Sequence, residues 1–266
     1  MAKQIAIIGA GVMGETLLAA VLKSGHRIDS VVITEKRAER AAELRAHYGV
    51  KVLGNVEAAA GADILLLVVK PQDMAAVLSE VGSAVRPGST VMSFAAGIRI
   101  GAIEAAVADG VAVIRAMPNT PALVGEGMFG LSAGKDCSND QLNAAQALLE
   151  SSGKVVVLDE LHQDALTGVS GSGPAYVFYL AEAMIAGGVS AGLDEETARI
   201  LTVQTILGSA KLLDGSPDGP AVLRQRVTSP NGTTAAAIAT FDEHGVKDSV
   251  AAGVVAAAHR SAELSR

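Results

Sequence analysis

Tryptophan is absent from this 266-residue sequence, and only three Tyr and four Phe are present. A core with so few rings has to be packed by Ala, Val, Leu and Ile, whose compact side chains let helices approach closely. Cysteine is nearly absent too. Cys137 stands alone, which excludes an intrachain disulfide and a cysteine-built zinc site, and makes a reducing cytoplasm the expected location. There is no basic excess: 21 Lys and Arg face 28 Asp and Glu, for a net charge of −7. No nucleic-acid partner is expected, because such a binder normally needs a basic face. Anionic small molecules stay open, since helix N-termini bind them without side-chain charge. Long apolar runs are missing as well. The richest, Ala62–Val69 and Ala251–Ala258, fall far short of the ~18 uninterrupted apolar residues of a membrane helix, so no membrane partner is expected. Met1–Gly9 is short and apolar but is followed closely by Gly11, and reads as a first strand rather than a targeting segment. The five His are scattered without ligand-like spacing, and Asp159 and Glu160 form no evident cluster, so no metal is expected.

What is present is a folded composition, half hydrophobic and 18% charged. Up to about residue 158, short apolar runs alternate with helical patterns. Gln4–Ile8, Val31–Thr34, Ile64–Val69, Thr90–Phe94, Val111–Met117 and Val155–Leu158 read as buried strands rich in Val and Ile. Val12–Ser24, Arg37–Tyr48, Gln72–Val85, Ile100–Ala108 and Asn139–Ser151 read as the intervening helices. Continuous rather than alternating apolar strands predict a mostly parallel sheet covered on both faces. Beyond Asp159 the strand signal stops. His162–Gly168, Pro174–Val189, Glu195–Gly208, Ala221–Arg226, Thr234–Asp242 and Val246–Ser265 are all helical in pattern. Two domains are therefore expected, 1–158 and 159–266.

Gly9-Ala10-Gly11-Val12-Met13-Gly14 fits G-x-G-x-x-G directly after the first strand and before an apolar helix. Gly9 permits the tight turn, Gly11 lets backbone approach a pyrophosphate, and Gly14 lets the helix pack on the strand. This context predicts a doubly wound α/β Rossmann domain binding a dinucleotide, with the helix from Val12 aiming its first N–H groups at the phosphates. About 20 residues on, the second strand ends in Thr34-Glu35-Lys36-Arg37. Glu35 suits a ribose 2′-hydroxyl, as in NADH, whereas Lys36 and Arg37 suit the 2′-phosphate of NADPH. NADPH is the expected cofactor, with NADH open as the alternative. Val69-Lys70-Pro71 ends a buried strand at the carboxyl edge of the sheet, where ligands of this fold collect, with Pro71 suited to a first helical turn. Ala95-Ala96-Gly97 ends the next strand with residues small enough for a flat nicotinamide to lie against the backbone. Met117-Pro118-Asn119-Thr120-Pro121 forms a double-Pro loop at the same edge.

In the second half, Ser170-Gly171-Ser172-Gly173-Pro174-Ala175-Tyr176 and Ser229-Pro230-Asn231-Gly232-Thr233-Thr234 each precede a helix, placing hydroxyls and free backbone N–H groups at its start. Taken in order with the first-half motifs, and with the stretch Val227–Asp242, this set resembles pyrroline-5-carboxylate reductase over nearly the whole chain. The resemblance implies a Rossmann domain followed by an all-α dimerisation domain, a homodimer formed through those helices, and further assembly into a ring of dimers. It implies reduction of the cyclic imine 1-pyrroline-5-carboxylate to L-proline, or of a related cyclic imine as the alternative, with the substrate at the dimer interface between the nicotinamide and the loop before Thr234. By motif position, Thr234 is the catalytic candidate, hydrogen-bonded to the ring nitrogen. Ser229 and the N–H groups of Gly232 and Thr233 would receive the carboxylate. Gly9, Gly11, Val12, Met13, Gly14, Thr34, Lys36, Asn55, Val69, Lys70, Pro71, Ala95, Ala96, Gly97 and Asn119 make up the expected cofactor set. The family signature commonly carries Gly-Gly where this chain has Asn231-Gly232, and Asn tolerates left-handed backbone angles, so the loop is expected to keep its shape.

Two rivals carry different predictions. A β-hydroxyacid dehydrogenase is similar around Gly168–Gly173 but handles a hydroxyl proton with a Lys and an Asn one turn apart. This chain has Val177 and Ala181 there, and neither transfers a proton. A non-catalytic NADPH sensor would bind cofactor without turnover, and would be favoured by loss of the substrate loop, which is intact.

Overall fold

The computed structural model describes residues 3–265. Met1 and Ala2, which open the expected first-strand segment, and Arg266, which ends the expected second domain, lie outside them.

The chain begins β1 (Ile5–Ile8), α1 (Val12–Lys23), β2 (Val31–Thr34), α2 (Ala38–Tyr48), β3 (Lys51–Val52), α3 (Asn55–Gly61), β4 (Ile64–Leu67) and α4 (Pro71–Val81). It continues through β5 (Thr90–Ser93), α5 (Ile100–Glu104), β6 (Ala112–Met117), β7 (Gly127–Ala133), α6 (Asn139–Glu150) and β8 (Gly153–Val157). The sheet order is β3-β2-β1-β4-β5-β6-β7-β8. All pairings are parallel except β6 with β7. Ile5 of β1 lies between Val31 of β2 and Ile64 of β4.

Successive strand residues point to opposite faces, and β1 feeds both sides of the sheet. Ile5 and Ile7 join a core with Leu17, Leu18 and Val21 of α1, while Ala6 and Ile8 join a second core with Met74, Val77 and Val81 of α4. Two buried faces explain why the central strands read as unbroken apolar runs. The six expected strands are present among eight in the described sheet, but Val155–Leu158, expected to be buried, falls in the edge strand β8, where Val156 and Val157 are exposed. The additional β3 is two residues long, and β7 opens on Gly127 and has its apolar run broken by Gly130. The double-Pro loop after β6 contains a 3-10 turn, Thr120–Val124.

A short 3-10 turn (Glu160–His162) leads into α7 (Gln163–Leu166), a π-helical turn (Thr167–Gly171), α8 (Gly173–Ser190), α9 (Glu195–Asp214), α10 (Pro220–Arg226), α11 (Thr233–Glu243) and α12 (Val246–Leu264). By packing, the chain forms two compact units. One runs to Gly171 and takes back the C-terminal stretch from Ala257; the other is Ser172–Ala256. Residues 159–171 therefore pack with the sheet. The helical unit is poorly covered by its own chain: α8, α10 and α11 bury no residue, and α9 buries only Ala198 and Thr202. No helix among the described residues is long and apolar enough to cross a membrane.

Candidate active site

The sheet order places a reversal between β1 and β4, from which the chain winds outwards in both directions. Ligands of open α/β sheets bind outside the carboxyl ends of the strands at such a switch point. The expected cofactor residues fall along this edge in spatial order. Asn55 follows β3, Thr34 and Lys36 mark the end of β2, and Gly9–Gly14 follow β1. Val69–Pro71 follow β4, Ala95–Gly97 follow β5, and Asn119 follows β6. Neighbouring strands are about 4.8 Å apart, so the track from β2 to β5 spans roughly 14 Å and suits an extended ligand.

At its centre the three motif glycines do different things. Gly9 has φ +94°, a left-handed angle, and a Cβ there would stand 2.7 Å from the Val68 carbonyl oxygen. Its N–H and that of Ala10 both donate to the Thr34 carbonyl, at 3.2 and 3.1 Å. The turn is thereby tied to β2 and pressed against the β4 loop. A Cβ on Gly14 would lie 2.1 Å from the Gly9 carbonyl oxygen, so α1 packs on the turn only because that residue has no side chain. Around Gly11 there is open space, with no heavy atom within 4 Å of a Cβ position. The first N–H groups of α1, including those of Val12 and Met13, lack intrahelical acceptors. Gly11 is the α1 N-cap residue and offers no side-chain cap. Open space before free amides at a helix N-terminus is the arrangement a pyrophosphate requires.

At the end of β2, Glu35 and Arg37 pair with each other. Arg37 Nε and Nη2 donate to the two Glu35 carboxylate oxygens at 3.1 and 3.2 Å, and the Arg37 backbone N–H adds a third bond at 2.9 Å. The Glu35 side chain is only 8% exposed. The Arg37 hydrogen bonds hold its carboxyl below the usual carboxylate range despite the opposing effect of burial. Lys36, between them, is exposed. Nearby, Arg40 pairs with Glu15 of α1, and Tyr48 donates to the same carboxylate at 3.2 Å. Burial and the Glu15 charge raise the Tyr48 phenol.

The remaining edge residues divide into exposed and engaged. Lys70 is exposed and is the N-cap residue of α4, with Pro71 in the first turn. Ala95 is buried and Ala96 exposed at the end of β5. Both ends of the Asn119 side chain are engaged: its oxygen accepts the Met128 N–H at 2.8 Å, and its nitrogen donates to the Ser170 carbonyl at 3.2 Å. Asn55 Nδ2 donates to Glu80 at 2.8 Å.

In the helical unit, Ser229-Pro230-Asn231-Gly232 makes a tight turn closed by the Gly232 N–H on the Ser229 carbonyl at 3.0 Å. Pro at the second position and a positive φ of 60° at Asn231 fit a type II turn. The Gly232 N–H, expected to be free for a carboxylate, is engaged in closing it. Gly232 is the N-cap residue of α11 and provides no side-chain cap. Its carbonyl accepts the Ala236 N–H at 3.1 Å. The amides of Thr233, Thr234 and Ala235 therefore stand in the first turn without intrahelical acceptors.

Two family models match the chain: pyrroline-5-carboxylate reductase dimerisation over residues 160–264, and NADP oxidoreductase, coenzyme F420-dependent, over residues 4–97. A pyrroline-5-carboxylate reductase of Pseudomonas aeruginosa is 43% identical over 264 residues, covering 98% of this chain and 97% of the relative. The chain belongs to the pyrroline-5-carboxylate reductase family. A solved pyrroline-5-carboxylate reductase of Coxiella burnetii superposes with a TM-score of 0.93 at 31% identity, with 99% of each chain covered. The pyrroline carboxylate reductase of Plasmodium falciparum, solved with NADP bound, gives 0.88 at 27% identity, covering 99% of this chain and 98% of that one.

Within this reductase family the present chain accommodates Asn where Gly-Gly is common by holding Asn231 in the left-handed region. A polar network on the sheet unit lies outside every sequence motif. Arg115 of β6 is 3% exposed and pairs with Glu160 at 3.2 Å; it lies 4.0 Å from Asp164. Nothing local marks it, because its partners lie far along the chain.

Proposed function

We propose that this chain reduces 1-pyrroline-5-carboxylate to L-proline with NADPH, the closing step of proline synthesis. The observation that carries this reading is full-length identity of 43% and 42% with relatives named for that activity, the substrate loop included. The sheet edge fits the cofactor. Gly11 leaves room for the pyrophosphate, α1 offers its amides, and Ala95-Ala96-Gly97 presents a small, flat surface to the nicotinamide. NADPH is favoured over NADH because the Glu35 carboxylate is already engaged by Arg37, while Lys36 stands free for a 2′-phosphate. Thr34, Val69, Lys70, Pro71 and Asn55 complete the contacts. Asn119, with its side chain engaged on both sides, acts through its backbone and by holding the loop.

When bound, NADPH supplies the hydride to the imine carbon. A protonated imine already accepts hydride well, so the protein needs no strong acid. The Thr234 hydroxyl orients the ring nitrogen or relays its proton from water. The substrate carboxylate rests on the α11 amides of Thr233 and Thr234 and on the Ser229 hydroxyl. The Gly232 N–H shapes the loop. A helix N-terminus lets an acidic protein bind an anion, and holding carbon and hydride donor in reactive geometry contributes several kcal/mol. The helices from residue 159 onward form the homodimer, place the substrate at its interface and build rings of dimers, in the cytoplasm.

The test follows cofactor oxidation with 1-pyrroline-5-carboxylate, using NADPH and NADH in parallel, for wild type and Thr234→Ala. Imine-dependent oxidation that prefers NADPH, with the variant losing turnover but retaining cofactor, is the expected result. Cofactor binding without turnover on any cyclic imine would sink the reductase reading in favour of a sensor.

A further inference from the structure

The loop proposed to carry the nicotinamide, Ala95–Gly97, is followed by a circuit of polar contacts that runs through the C-terminal end of the chain. Gly97 has φ +76°, and a Cβ on it would lie 2.8 Å from the Leu264 carbonyl oxygen, so the backbone of the loop rests against the backbone of the C-terminus. Two residues on, Arg99 Nε donates to the Ser265 carbonyl at 2.9 Å. The Ser265 hydroxyl donates to the Ser261 carbonyl at 2.9 Å, and the Ser261 hydroxyl donates to Asp164 Oδ1 at 2.6 Å. Asp164 faces the buried Arg115 guanidinium, which pairs with Glu160. Glu160 Oε1 then accepts the Ile100 N–H at 2.8 Å, one residue from Arg99. The circuit starts and ends on the residues that follow the loop, and every member belongs to the sheet unit.

We infer that Arg99 and the C-terminal residues Leu264 and Ser265 form a brace that positions the Ala95–Gly97 backbone for hydride transfer. Arg99 is a positioning residue: it acts on the loop, and neither substrate nor cofactor is assigned to it. The inference rests on the reading of Ala95–Gly97 as the nicotinamide contact. Its physical basis is that a loop ending a strand is mobile unless held from outside the sheet, and that small displacements of a reacting pair cost large factors in rate. Buried Arg115, paired with Glu160 at 3.2 Å, anchors the circuit, while its Nη2 lies 4.0 Å from Asp164 without a hydrogen bond. The exposed Arg99 is the member that can be removed without disturbing the core.

The experiment uses the full-length enzyme and three changes: Arg99→Ala, deletion of residues 264–266, and both together, with Arg99→Lys as the conservative variant. The expected result is a fall in kcat of about tenfold for each single change, with NADPH dissociation constants within about twofold of wild type. The primary deuterium isotope effect from deuterated NADPH should rise as hydride transfer becomes limiting. The double variant should match the deletion alone rather than multiply the two losses, since the deletion already removes the acceptor of Arg99, and Arg99→Lys should recover part of the loss. Unchanged kcat in both single variants overturns the brace, as does a loss that merely tracks thermal stability with no change in isotope effect. Ala96→Trp, measured alongside, tests the underlying reading. If it leaves turnover intact, the loop does not carry the nicotinamide and the inference falls with it; if it abolishes turnover while the Arg99 variants are normal, the brace alone falls.

Discussion

Strands β1 and β4 of the sheet unit have no exposed residue, whereas α8, α10 and α11 of the helical unit have no buried one. Yet α8 is among the most apolar segments of the chain, with Phe178 63%, Tyr179 76% and Leu180 50% exposed. The contrast separates two ways of satisfying a hydrophobic sequence. The sheet covers its own strands with helices on both faces. The helices of the second unit have too few partners within the chain, and an apolar surface of that extent marks an association site. That agrees with the dimerisation family model over residues 160–264.

The largest effect should come from charging that surface. Phe178→Asp and Leu180→Asp each place a carboxylate where an apolar contact is proposed, at a cost of several kcal/mol on burial. Sedimentation should show dissociation to monomers, with turnover falling at least ~100-fold. NADPH binding should persist, because the sheet unit keeps its own core. A fully active monomer would break the comparison and show that the helical unit completes itself.

The reverse cut is made in the sheet unit. Gly14→Ala sets a methyl group 2.1 Å from the Gly9 carbonyl oxygen, backbone against side chain with no flexible group to yield. The helix has to shift, and NADPH affinity should drop about 100-fold, equivalent to about 2.7 kcal/mol. The oligomer should remain intact. Fluorescence titration of the cofactor reads the effect. An unchanged dissociation constant would show that the glycine turn is not the phosphate site.

The two units also differ in how much of them was legible beforehand. Burial on both faces leaves a plain signature, and β1, β2, β4, β5 and β6 could be located from unbroken apolar runs. Strand β7 could not, because packing dictated its glycines. A Cβ at Gly130 would strike the Leu166 side chain, and one at Gly127 would meet Ala122 and the Ser152 carbonyl. Residues chosen for close approach look like turn residues when read in isolation. In the helical unit, the breaks between helices were visible, and Asn231 was expected to accept a left-handed angle, as it does. The Gly232 amide was expected to be free, but the turn that positions α11 engages it. Asn119 raises a similar point. Its place at the carboxyl edge of the sheet was readable, while the two hydrogen bonds that occupy its side chain depend on Met128 and Ser170. Placement follows from motif order; hydrogen-bond partners follow from tertiary contacts that no local pattern encodes.

The smallest effect refines the cofactor end of the sheet unit. The Glu35 carboxyl is lowered chiefly by the Arg37 side-chain hydrogen bonds. A group lowered in the folded state contributes stability above its unfolded value, about 4.3 for Glu. That contribution is lost as pH falls through the lower folded value. Because Arg37 is 67% exposed, the gain at neutral pH should be only a few tenths of a kcal/mol. Glu35→Gln should therefore melt slightly earlier than wild type near neutrality, and the two curves should converge in acid. The same change frees the Arg37 guanidinium beside Lys36. NADPH should then bind as tightly as before or more so, while any residual NADH use declines. If instead NADPH binding weakens while NADH binding is kept, the Glu35–Arg37 pair serves the adenine ribose directly, and the basis for NADPH preference moves away from this strand end.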